Sequence, residues 1–111
     1  MSTPAFTPAV LGEGQLSASP STIFLVPAGE VCYVHFVNFC NVAATAETVE
    51  LWFKRSAAAR KLGQSVLEDA GWRWEFLSRP LQLQAGDRLL ASSTHAAAVD
   101  YVVTGIKQAL S

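Results

Sequence analysis

The chain has 111 residues and a mass of 11.9 kDa; half of it is hydrophobic and 15% is charged, with eight Lys and Arg against nine Asp and Glu for a formal charge of -1. That length makes one domain, able to bury roughly two thirds of its unfolded surface in a single core without disulfides or metals. The missing basic excess argues against nucleic acid as a partner, and with no apolar run near the roughly 18 to 20 residues that span a bilayer, and no signal-peptide pattern at the start, the chain reads as soluble and not membrane-bound.

Residues 1–20 hold Pro4, Pro8 and Pro20, Gly12 and Gly14, a single charge at Glu13, and no sustained period. They read as an N-terminal arm or disordered leader ahead of a domain spanning 21–111. Phe6, Val10, Leu11 and Leu16 are more apolar than a linker needs, so docking on a neighbouring subunit is one reading and a loose terminus the other.

From residue 21 onward, short β-rich runs alternate with turn residues. Residues 22–26 form a strand turned by Pro27-Ala28-Gly29-Glu30, and 31–41, VCYVHFVNFCN, form a long one. Strict alternation puts Val31, Tyr33, Val37 and Phe39 on one face and Cys32, Val34, Phe36 and Cys40 on the other. A strand apolar on both faces is covered on both. With no spare helix in the domain, a second subunit is the simplest cover.

Residues 47–54 alternate with Val49, Leu51 and Phe53 inward, and Trp52 falls on the polar face. Residues 55–61 fit a single helical turn or a loop, too short for a helix that stands by itself. Another strand covers 61–67, and Trp72, Trp74 and Phe76 give the next an aromatic inner face. Pro80 places 77–84 at a sheet edge or at a crossing between sheets. Strands over 88–93 and 99–106 close the domain. Three Ala-Gly turns, ending at Gly29, Gly71 and Gly86, supply the positive φ that tight connections demand. The fold expected is all-β: an antiparallel β-sandwich or jelly roll of about seven or eight strands with an extended N-terminal arm.

Chemistry is hard to assemble from these residues. Cys32 and Cys40, eight residues apart on one strand, lie about 26 Å from each other, too far for a disulfide, so both read as free thiols. Cys32 and His35 have the spacing of a zinc half-site, but an odd offset on a strand sends them to opposite faces. A set of Ser92, His95 and Asp100 lacks the nucleophile elbow and oxyanion glycine of a hydrolase, and no glycine loop cradles a phosphate. The expectation is no catalytic residue, no metal and no cofactor. Contact surface remains: Trp52, the strand around Val34 and Phe36, the apolar arm residues, and Arg55 and Arg60 in a basic stretch suited to an acidic neighbour. Surface tryptophans also serve carbohydrate-binding sandwiches, so a sugar or receptor module built on Trp52 and Tyr101 is the alternative.

The order of the pieces then carries a resemblance. Thr22-Ile23-Phe24-Leu25-Val26-Pro27-Ala28-Gly29, a long strand ending Phe39-Cys40-Asn41-Val42-Ala43, the turn Leu83-Gln84-Ala85-Gly86-Asp87, and a closing Val99-Asp100-Tyr101-Val102-Val103-Thr104-Gly105-Ile106 resemble the small β-sandwich virion proteins of tailed bacteriophages and related gene-transfer particles. The resemblance spans roughly residues 22–106. It implies a non-enzymatic structural role as a head decoration, head fibre, spike or tail-associated subunit. Such a protein assembles in the host cytoplasm as a homo-oligomer and binds capsid or tail proteins in the virion.

Overall fold

The computed structural model describes residues 7–109. Eight strands form there: β1 (Thr7–Gln15), β2 (Ser21–Leu25), β3 (Glu30–Asn41), β4 (Glu47–Arg55), β5 (Ala58–Leu67), β6 (Arg73–Gln84), β7 (Arg88–Ser92) and β8 (Val99–Ala109). They make two four-stranded antiparallel sheets, in the orders β1-β8-β3-β6 and β2-β7-β4-β5, packed as a β-sandwich. β1 pairs with β8, β2 with β7, β3 with β6 and β4 with β5, as if one long hairpin ribbon were rolled up. The molecule measures 53 × 28 × 22 Å. Its long axis follows the strands, since the twelve residues of β3 span about 40 Å at 3.3 Å each.

Both inner faces are apolar, and the side chains that meet between them include Phe39, Leu51, Leu67, Leu83 and Leu89, each fully buried. Phe39 stacks on Trp74 at 5.3 Å between ring centroids, and Trp74 meets Phe76 edge-on at 6.0 Å. An apolar cavity of about 10 Å³ lined by Val34, Val37, Leu51, Phe76 and Leu89 lies between the sheets; with apolar walls and barely the room for one water, it stays dry.

β3 shows why it looked apolar on both sides. Its register against β8 slips between Val34 and Phe36, leaving His35 as an extra residue there, and the pairing with β6 is irregular at the same point. A bulge reverses the alternation. Cys32 and Val34 before it, and Val37, Phe39 and Asn41 after it, therefore share the inner face, and all five are buried. The expectation of two apolar faces is corrected accordingly: most of the second face is the first, continued past the bulge. Cys32 and Cys40, expected on one face, are separated by the same device, the first buried and the second half-buried.

Other expectations are corrected by pairing. Thr7–Gln15, read as arm, is edge strand β1 on β8, and Leu16 beyond it is 2% exposed, so the sandwich begins well before residue 21. Residues 55–61 are neither helical turn nor loop: Arg55 pairs with Ala58 across a two-residue turn in which Ser56 has φ 55°. Residues 73–84 form one strand, not two, and β6 is an edge strand, which is where Pro80 is tolerated. Trp72, expected inward, is half exposed. Gly29, Gly71 and Gly86 adopt φ of 80°, 84° and 89°, as the turn reading requires.

Candidate assembly surface

The outer face of the β1-β8-β3-β6 sheet follows from the register. One row runs Val10, Thr104, Phe36; the next holds Ile106, Tyr33 and Gln82; a third runs Glu13, Val102, Asn38, Glu75. Within these three rows charges sit only at the ends of the third, and the other two are aliphatic, aromatic, hydroxyl or amide. Val10 is 61% exposed, and Tyr33, Phe36, Val102 and Ile106 are each partly covered by their neighbours. Open depressions of about 440 and 530 Å³ lie towards the two ends of this face, the first lined by Asn38, Cys40, Arg73 and Val102, the second by Val31, Tyr33, Gln82 and Gln108.

Of the residues singled out from the sequence, Val10 and Phe36 meet on this face. Leu11 packs against the core from a bulge in β1, and Leu16 and Val34 are inside the core, where no neighbour can touch them. Phe6 lies outside the described residues. Trp52 is on the other sheet and half-buried, with Lys61 Nζ 5.9 Å from its ring centroid, and Tyr101 packs against the core. These two aromatics form no sugar-stacking platform.

Arg55 is committed within the chain. Its Nε and Nη2 donate to Asp87 Oδ1 and Oδ2 at 2.9 and 2.6 Å, and Gln84 N also donates to Oδ2, so the basic side chain straps the β4–β5 hairpin to the Ala85-Gly86-Asp87 turn. The hydrogen bonds from Arg55 hold the Asp87 carboxyl below the usual carboxylate range. Arg60 remains exposed.

The catalytic triad drawn from Ser92, His95 and Asp100 does not assemble. Asp100 accepts a hydrogen bond from Gln15 Nε2. His95 Nδ1 lies 2.7 Å from Oε2 of Glu47, whose Oε1 accepts from His95 N at 2.8 Å. The buried carboxylate clamps the β7–β8 loop to the start of β4. Nothing in the sequence signals this partner, 48 positions away. His35 stands exposed on the bulge, apart from any of these groups. Among the described residues no cluster of His, Cys, Asp or Glu is placed to hold a metal ion, and no helix is long and apolar enough to cross a membrane.

Asn41, also missed by sequence reading, ends β3. Its Nδ2 donates to Thr45 O and Leu67 O, both at 2.9 Å, and its Oδ1 accepts from Ala43 N at 2.8 Å. The four loops at this end are cross-linked in the same manner by backbone bonds, including Ala97 N to Leu16 O, Val42 N to Ala98 O, Gly71 N to Asn41 O and Ser93 N to Ser17 O. They form one hydrogen-bonded plate.

No family model and no curated protein matches the chain. Among solved structures, it is similar in fold to a protein from work entitled "Bacillus endospore appendages form a novel family of disulfide-linked pili", with a TM-score of 0.59, 13% identity, and coverage of 99% of this chain and 93% of that one. Two crystal structures of a pentameric capsid protein isolated from metagenomic phage sequences align at a TM-score of 0.39 and 19% identity over 91% of this chain. The chain spans 64% and 62% of their length.

Proposed function

We propose that the chain is a non-enzymatic structural subunit of a virion, self-assembling and adding to capsid or tail neighbours through the outer face of the β1-β8-β3-β6 sheet. The observation that carries this reading is that face: a row from Val10 to Phe36 and another through Ile106 and Tyr33, neither holding a charged residue and, among the described residues, neither covered by another element. A contact of this kind has an apolar centre and a polar rim, here Glu13, Glu75 and Arg73. Supporting it, the pairing of β1 with β8, β2 with β7, β3 with β6 and β4 with β5 has the order of a double-sheet jelly roll, an architecture recurrent in viral coats. The likeness to an appendage protein supplies the fold and leaves the function to the surface.

Size-exclusion chromatography with light scattering tests the reading. The chain at high micromolar concentration should run as a multimer, and Val10→Glu should shift it towards monomer without changing the circular dichroism spectrum. A chain that stays monomeric throughout overturns self-assembly. Mass spectrometry of purified particles tests the virion location, which their lack of this chain would overturn.

A further inference from the structure

The formal charge of -1 conceals an asymmetry along the 53 Å axis. At the end that carries the four-loop plate stand Glu13, Glu47, Glu68, Asp69, Glu75 and Asp100, with Arg73 the single Lys or Arg among them. At the opposite end stand Lys54, Arg60, Arg88 and Lys107, together with Glu30 and the Arg55–Asp87 pair. Glu50 and Lys61 pair with each other nearer the waist, and Arg79 belongs to β6.

Within one molecule the two ends cannot neutralise each other, because their separation exceeds the roughly 10 Å over which salt at 0.1 M screens a charge. The cationic end even sets like charges together: Lys54 lies directly across from Arg88 between β4 and β7. Such a cross-strand pair is destabilising unless an anion comes between. Among the described residues neither cation, and neither Glu68 nor Asp69, forms an ion pair. Each end also offers an apolar centre. Val42 and Trp72 are 49% and 50% exposed on the plate, and Leu25, paired with Arg88, is 47% exposed at the other end.

We infer that copies of this chain associate end to end, the carboxylate-rich loop plate of one seated on the cationic end of the next, with Trp72 and Val42 against Leu25 inside the ring of opposed charge. The contact is heterologous, so repetition closes a ring or runs on as a filament. The inference rests on the self-assembly reading and names a second contact, distinct from the sheet face.

Sedimentation velocity of the full chain with two charge-reversal variants tests it. Glu68→Lys with Asp69→Lys removes most of the net negative charge of the plate; Arg60→Glu with Lys107→Glu removes the cationic excess of the other end. All four side chains are exposed, and unchanged circular dichroism and thermal midpoint check the fold. The wild type should associate at 20 mM NaCl and about tenfold more weakly at 500 mM, each variant alone should dissociate, and an equimolar mixture of the two should associate again. A wild type that associates while both variants associate equally well, or a mixture that stays dissociated, overturns the end-to-end contact and leaves self-assembly standing. A wild type that is monomeric at every salt and concentration overturns both.

Discussion

A buried amide is tolerable only when its protons and lone pairs find partners, and Asn41, fully buried, makes three hydrogen bonds that tie the end of β3 to two other segments. At about 1 kcal/mol each, Asn41→Ala should cost about 3 kcal/mol in urea unfolding; a loss below about 0.5 kcal/mol would show the loop plate held by backbone bonds alone. Asp87 is a pH-dependent counterpart. Because hydrogen bonding from Arg55 lowers its folded pKa, its contribution is complete above the unfolded value of about 4 and disappears as pH falls through the lowered folded value. The stability gap between wild type and Asp87→Asn should therefore be wide at pH 7 and close below about pH 4; a gap independent of pH refutes the charge-assisted role. Neither partnership was legible beforehand. Arg55 finds Asp87 32 positions away and His95 finds Glu47 at 48, distances over which a single sequence carries no signal until the strands are paired.

Strands with clean alternation, such as β4 and β8, were legible because a half-buried strand must alternate. β1 was not: its two glycines, its proline and the slip between Val10 and Gly12 erase the period, and its place is set by β8. β3 misled for a related reason, since one inserted residue turns a single apolar face into two apparent ones. Deleting His35 should consequently be ruinous, because it moves either Cys32 and Val34 or Val37 and Phe39 to the outer face, whereas His35→Ala, at an exposed side chain, should unfold within about 0.5 kcal/mol of wild type. Equal stability of the deletion and the alanine variant would refute the bulge. The β4–β5 hairpin carries a smaller strain at Ser56, whose positive φ suits glycine at the first position of a two-residue turn. Ser56→Gly should raise the thermal midpoint by a few degrees; a fall would mean that Ser56 pays no such conformational cost.

At the scale of the whole molecule, the charge axis was present in the sequence as a list of residues and invisible as a pattern, because each charge is assigned to one end or the other only as strand after strand reverses direction. Only the rolled-up pairing collects Glu13, Glu68 and Asp100 at one end and Lys54, Arg88 and Lys107 at the other. The same pairing decides what residues 7–15 do. β8 lies between β1 and β3, so a chain lacking residues 1–15 keeps Leu16 and most of the core but leaves the outer edge of β8, eleven residues without proline, unpaired. A long bare edge is a template for further strands. The truncated protein should retain its far-ultraviolet β signal yet form thioflavin-positive aggregates at concentrations where the full chain forms none. A truncation that stays soluble with an unchanged urea midpoint would mean that β1 is dispensable, as the arm reading of residues 1–20 required. The structure argues for the first outcome, since β1 is the strand that closes the β8 side of its sheet.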